Sequence, residues 1–158
     1  MQVLDAAEQF DDARELLQRQ PPGSGVLLPL LNAAAVAVEL FLKSLSTESI
    51  FVPQSDFDGY KVYAQPELKH HRLHELFDNI PDDIRIELEA RFATAGITTS
   101  ATSLRDLLMT YENLFMASRY PFEAELDIRN YPLAQLMELS TFLRTVIAKM
   151  KPVDKIEW

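Results

Sequence analysis

Cysteine is absent from the 158 residues, which excludes a disulfide framework, a thiol nucleophile and a Cys-ligated zinc site. That absence fits a reducing, cytoplasmic location, which is the expectation for this chain. Glycine is scarce, with four residues, and none of them builds a Gly-rich phosphate loop. Histidine is confined to His70, His71 and His74. No serine stands in a nucleophile-elbow setting, and no carboxylate pair has the spacing that carries metal or acid chemistry. Unbroken apolar runs are missing too: the longest apolar stretch, Val26 to Leu45, is interrupted by Pro29, Asn32, Glu39, Lys43 and Ser44. A buried bundle helix explains it better than a membrane span, and no membrane association is expected. The first ten residues have no basic region followed by an apolar one, so no secretory signal is expected.

Basic residues are outnumbered. Fifteen Lys and Arg stand against 24 Asp and Glu, giving a formal charge of −9. Such a charge repels phosphate backbones at long range and argues against non-specific DNA or RNA binding, while leaving room for a local basic site.

What remains is helical pattern. Val3, Ala6, Ala7, Phe10, Ala13 and Leu17 recur at helical spacing, with Glu8, Asp12, Arg14 and Glu15 assigned to the solvent side, before the Pro21-Pro22-Gly23-Ser24-Gly25 break. A second helix is predicted from Leu28 to Ser46, apolar nearly all round and therefore central; Pro29 is tolerated in its first turn. Between 47 and 69 the helical period disappears. There Ile50-Phe51-Val52 and Tyr60-Lys61-Val62-Tyr63 flank a Ser55-to-Gly59 turn signal, predicting a small β-hairpin insertion at about 48–64 or an ordered loop.

A third helix is predicted from near His70 to Ile80, before Pro81. The next carries Ile84, Leu88, Phe92 and Ala95 on one face and stops at Gly96. Leu104, Leu107, Leu108, Tyr111, Leu114 and Phe115 form the steadiest repeat in the chain, predicting one helix from Leu104 to Ser118. After Pro132 a last helix turns Leu133, Leu136, Met137, Ser140, Leu143, Ile147 and Met150 inward, and Arg144, Lys149 and Lys151 read as ordinary surface near its end. With no repeat or composition shift, residues 1–158 are expected to form one all-α domain, an up-and-down bundle of five to six helices.

Three short pieces carry a resemblance: Glu39-Leu40-Phe41-Leu42-Lys43-Ser44-Leu45 within the apolar helix, His70-His71-Arg72-Leu73-His74-Glu75-Leu76 at a helix start, and Arg119-Tyr120-Pro121. In this order, over roughly Val26 to Lys149, the chain resembles the HEPN domain family of helical bundles. His70 and Arg72 stand where the family's middle element has Gly and Asp. The resemblance implies a homodimer, a nucleotidyltransferase-type protein partner, and a defence or toxin–antitoxin context. Catalytic members resemble metal-independent ribonucleases, with an Arg followed by a His after four to six intervening positions. Counting from Arg119, those positions hold Ala124, Glu125 and Leu126; counting from Arg129, Ala134, Gln135 and Leu136. Cleavage by the 2′-hydroxyl needs a proton acceptor and donor near neutrality, which imidazole supplies and Arg does not. The expectation is a non-catalytic domain that binds a nucleotide, an RNA or a partner protein, unless the fold brings His71 or His74 beside Arg119; in that event an endoribonuclease using Arg119 and His71 is the alternative. A pure protein-interaction module is the third.

Each candidate residue also has a plainer account. Glu39 and Lys43, at i and i+4, make an ion pair in the favourable orientation; the functional account has Lys43 meeting a phosphate with Glu39 orienting it, or Glu39 pairing with Arg119. His71 caps a helix or hydrogen-bonds in a partly buried site, and no metal or other cofactor is expected. Arg119 answers the carbonyls at a helix end or grips an anion with two-pronged guanidinium contacts. Tyr120 stacks a base or, more simply, fills the core. The aromatics Phe51, Phe57, Tyr60 and Tyr63 cover the bundle or form a binding lip.

Overall fold

Helix boundaries fall where proline and glycine interrupt the chain. The computed structural model describes residues 2–53, 60–66, 71–120 and 131–150, with side chains of 48–53 and 60–66 left aside. Seven helices and one two-stranded sheet are assigned among these residues.

Helix α1 (Gln2–Gln18) ends ahead of the double proline, and Gly23 and Gly25 adopt positive φ in the turn that follows. Helix α2 (Leu27–Ser44) buries ten residues, including Leu30, Leu31, Val38, Phe41 and Leu42. It packs against α1, α3 (Leu73–Asp78), α6 (Leu114–Arg119) and α7 (Leu133–Ile147), which makes it the central element. By length and composition α2 could cross a bilayer, but here its apolar surface is spent on neighbouring helices. Each Leu or Phe removed from water in this way contributes roughly 1.5–3 kcal/mol.

Strands β1 (Thr47–Pro53) and β2 (Tyr60–Pro66) pair antiparallel, with Phe51 opposite Val62 and Ile50 opposite Tyr63. The predicted hairpin is therefore present and slightly longer at each end. Its turn signal, Ser55 to Gly59, lies outside the described residues, as do the side chains of Phe51, Phe57, Tyr60 and Tyr63.

Helix α3 begins at Leu73 and ends at Asp78, shorter than predicted, so His71 sits in the extended segment before the helix and His70 is outside the described residues. Helix α4 (Asp82–Thr94) buries Leu88 and Phe92 and is stopped by Gly96 at φ +70°. Its Glu89 carboxylate accepts from the backbone N–H groups of Leu104 and Arg105, satisfying the first turn of α5 (Leu104–Thr110) beside the Ser103 cap.

The steadiest repeat does not form a single helix. Between α5 and α6, at Tyr111–Asn113, the ladder switches to i→i+3 bonds: Tyr111 N–H to Leu108 O, Glu112 N–H to Met109 O and Leu114 N–H to Tyr111 O. The fully buried Tyr111 places its hydroxyl 2.8 Å from Pro132 O and 2.9 Å from Gln135 Oε1, tying this break to the start of α7. Counting α5 and α6 as one interrupted helix, the bundle has the six helices expected.

Helix α1 departs from its predicted face. Ala7, Asp11 and Arg14 are its buried residues, while Phe10 is 41% exposed. Asp11 accepts from Arg14 Nε (2.5 Å), Ser140 Oγ (2.7 Å) and Arg144 (3.0 Å), and Arg144 also reaches Asp12 at 2.7 Å. Arg14 further donates to Gln18 at 2.8 Å. A hydrophobicity pattern assigns Arg14 to solvent. Here partners on α1 and α7 satisfy it, so the buried stripe runs through two charges, and Arg144 is a tie between helices rather than plain surface.

Candidate functional site

Four of the five residues singled out in the sequence are linked in one chain of contacts, Lys43 to Glu39, Glu39 to His71, and His71 and Arg119 to the ring of Phe115. Glu39 is 5% exposed on α2, and its position in an apolar helix is stabilised by two partners. Lys43 Nζ lies 2.7 Å from Glu39 Oε1, as the one-turn spacing predicts. His71 Nδ1 lies 2.9 Å from both carboxylate oxygens, although it is 32 positions away in sequence. Glu39 does not pair with Arg119; among the described residues its partners are Lys43 and His71.

Phe115 supplies the surface that joins the rest. The His71 ring stacks on it at a centroid distance of 4.6 Å and an interplanar angle of 13°. The Arg119 guanidinium, one turn later on α6, lies 4.9 Å from the same ring centroid. Phe115 was read from the sequence only as part of the core repeat; its i, i+4 spacing to Arg119 is the signal that it shares Arg119's face. Asn32 fixes how α6 sits on α2 by donating to Ser118 Oγ at 3.2 Å, and Ser118 in turn donates to Phe115 O at 3.1 Å.

Exposure separates the members of the cluster. The His71 side chain is 48% exposed and Arg119 is exposed, whereas the Lys43 side chain is 12% exposed. Glu39 and Lys43 therefore form a near-buried neutral pair behind an outward edge made of imidazole and guanidinium. Tyr120, next to Arg119, is 48% exposed and does not fill the core. Met116, also on the outside of α6, is 42% exposed.

Because Nδ1 faces a carboxylate, which only accepts, it carries the ring hydrogen. No described residue bonds the opposite nitrogen, Nε2, which in the neutral ring carries a lone pair. A carboxylate behind a histidine holds tautomer and ring orientation in the way a hydrolase triad does. Arg119 adds a permanent positive charge with donors suited to phosphate or carboxylate.

His74 goes elsewhere. Its Nδ1 lies 2.9 Å from Glu112 Oε2, an ion-pair distance, but off the line a hydrogen bond requires, and the nitrogen has no hydrogen-bond partner. Burial and the Glu112 charge push the neighbouring Tyr131 hydroxyl above its ordinary range. His71 and His74 thus turn to different carboxylates, and His71 alone joins the Arg119 cluster.

A groove of about 480 Å³ lies apart from this edge, between α3, α4 and α5. Its charged rim is already satisfied. Arg105 grips Asp78 through two bonds of 2.7 and 2.6 Å, and that contact holds the Asp78 carboxyl below the usual carboxylate range. Nothing in the groove matches the chemistry offered by the Phe115 cluster.

Comparison of the chain with family models, with curated proteins and with solved structures finds no match.

Proposed function

We propose that this chain is a HEPN-like helical bundle that binds a phosphate ester, as a nucleotide or an RNA, at the edge formed by His71, Phe115 and Arg119, with Glu39 and Lys43 as the pair behind it. The observation that carries the reading is the convergence of His71 and Arg119 on the Phe115 ring from different elements. An exposed guanidinium beside an exposed imidazole, in a protein of charge −9, is a local exception to the overall field. Tyr120 next to Arg119 offers a face for a base. A homodimer and a nucleotidyltransferase-type partner belong to the same reading and rest on the resemblance alone, while a cytoplasmic location rests on the absence of cysteine.

Isothermal titration with ATP, GTP and short RNAs tests it. Wild-type protein should bind at least one of these, and Arg119→Ala should weaken that binding about tenfold or more, the effect of losing a charge-assisted contact of roughly 1.5–3 kcal/mol. Heats that are absent for every ligand, or unchanged in Arg119→Ala, would remove the reading.

One observation favours a second reading, that of a metal-independent endoribonuclease. Glu39 orients His71 through Nδ1 as a carboxylate orients a general base, and Arg119, on the same Phe115 ring, is the cation available to stabilise a phosphorane. Incubation of purified protein with structured RNA decides between the two. Cleavage lost in His71→Ala supports the enzyme; intact RNA together with measurable binding supports the binder.

A further inference from the structure

The proposed anion-binding edge contains an imidazole whose open nitrogen has the wrong polarity for an anion. Glu39 accepts from Nδ1, so the neutral ring keeps its lone pair on Nε2, which bonds no described residue. A phosphate or sulfate oxygen brought there meets lone pair against lone pair. It becomes a hydrogen-bond partner only after Nε2 gains a proton.

We propose that anion binding at the His71–Arg119 edge is coupled to the uptake of one proton by His71, so that affinity for a dianion depends on pH. This rests on the anion-binding reading above and adds its regulation. The proton comes from solvent and forms the Nε2–H bond; Nδ1–H stays on Glu39, and no other bond changes. The incoming negative charge stabilises the imidazolium it contacts.

The surrounding charges set the balance. From α2, Glu39 faces the ring and Lys43 neutralises it at 2.7 Å. From α6, Arg119 is positive on the shared Phe115 ring. On the segment of His71 itself, Arg72 is paired with Glu75 at 3.0 Å, and His74 turns to Glu112. With Glu39 and Lys43 cancelling, an imidazolium joins Arg119 as a second positive charge in contact with the Phe115 ring, a combination that suits a dianion better than a monoanion.

Inorganic sulfate is the probe, because it remains a dianion across the range in which imidazole titrates. Its affinity is measured by NMR titration at several pH values for wild type and for His71→Ala, a change at a half-exposed side chain. On the alkaline side of the transition, wild-type affinity should fall about tenfold per pH unit, the slope for uptake of one proton. His71→Ala should bind more weakly and with no such slope. Nitrogen-15 spectra of the unliganded protein at alkaline pH should show His71 as the Nδ1–H tautomer, identified by its loss in His71→Ala. An Nε2–H tautomer, or sulfate binding that does not vary with pH in wild type, overturns the coupling and leaves the binding reading standing. Absence of sulfate binding at every pH, in protein with the Nδ1–H tautomer, overturns the anion-binding reading and the coupling with it.

Discussion

Phe115 shows how much a single uncharged residue can organise. It donates and accepts nothing through its side chain, yet both exposed polar groups of the edge rest on its ring. Replacing it with Ala removes no charge but frees His71 and Arg119 to sample other rotamers, so the prediction is a loss of anion affinity without loss of any donor. Contacts of this kind contribute roughly 0.5–1 kcal/mol at exposed sites, so affinity for sulfate or nucleotide in Phe115→Ala should drop about twofold to fivefold by titration calorimetry. Unchanged affinity would mean that the ring only fills space. Glu39 is the opposite case, a charge that cannot be deleted quietly. Glu39→Ala leaves the near-buried Lys43 without its partner, and the expected cost is about 3 kcal/mol in urea unfolding. A cost below about 1 kcal/mol would show that Lys43 reaches water unaided. Both residues also mark what sequence reading reached. Glu39 and Lys43 were legible because charges in an apolar helix stand out, and His71 and Arg119 because they lie in the short pieces that carry the resemblance. Phe115 was not, because an aromatic in a helical repeat looks the same whether it faces a core or supports a site.

At the scale of elements, the predicted helices were legible because their buried faces are apolar, and they blurred where polar groups did the packing. Helix α7 was recovered with Leu136, Met137, Ser140, Leu143 and Ile147 inward as read. On helix α1 the apolar pattern places Ala7 and Leu17 against the core but leaves out Asp11 and Arg14, which satisfy each other while Ser140 and Arg144 on α7 complete the set. A signal did exist: Asp11 and Arg14 are three apart, Ser140 and Arg144 four apart, so each pair occupies one helix face and the two faces complement each other. Periodicity of apolar residues does not register such complementarity. The α5–α6 break was hidden for a different reason, since Tyr111 continues the apolar repeat while its hydroxyl holds the Pro132 carbonyl region at the start of α7. Burial pushes that hydroxyl's ionisation well above its ordinary range, so it is a neutral donor at any working pH. Tyr111→Phe keeps the ring and deletes the tie. The expected loss is about 1 kcal/mol in chemical denaturation, with the helix content of circular dichroism retained. A neutral substitution would assign the break to the backbone turn alone.

Across the whole molecule, the buried Asp11 network makes stability depend on acid. Burial pushes the Asp11 carboxyl upward, but hydrogen bonds from Arg14, Ser140 and Arg144 outweigh it and hold the group below its ordinary value of 3.8. A carboxylate whose folded value is depressed binds its proton more readily when unfolded, so its contribution is fully present above the unfolded value near 3.9 and is lost as pH falls through the lower folded one. Other carboxylates, Asp78 and Asp106 among them, are lowered in the same direction by Arg105 and by Thr102 with Ser103, and they add slope to wild type and variant alike. The difference between wild type and Asp11→Asn isolates the buried group. At neutral pH the variant should be less stable by roughly 3 kcal/mol, since Arg14 loses its buried counter-charge. Below about pH 4 the gap should narrow, because wild type gives up the Asp11 contribution while the variant has none to lose. Urea midpoints taken from neutral pH down through this window measure that convergence. A gap that stays constant with pH would place the stabilising action of Asp11 in its shape and hydrogen bonds, and would separate the α1–α7 tie from the acid sensitivity of the bundle.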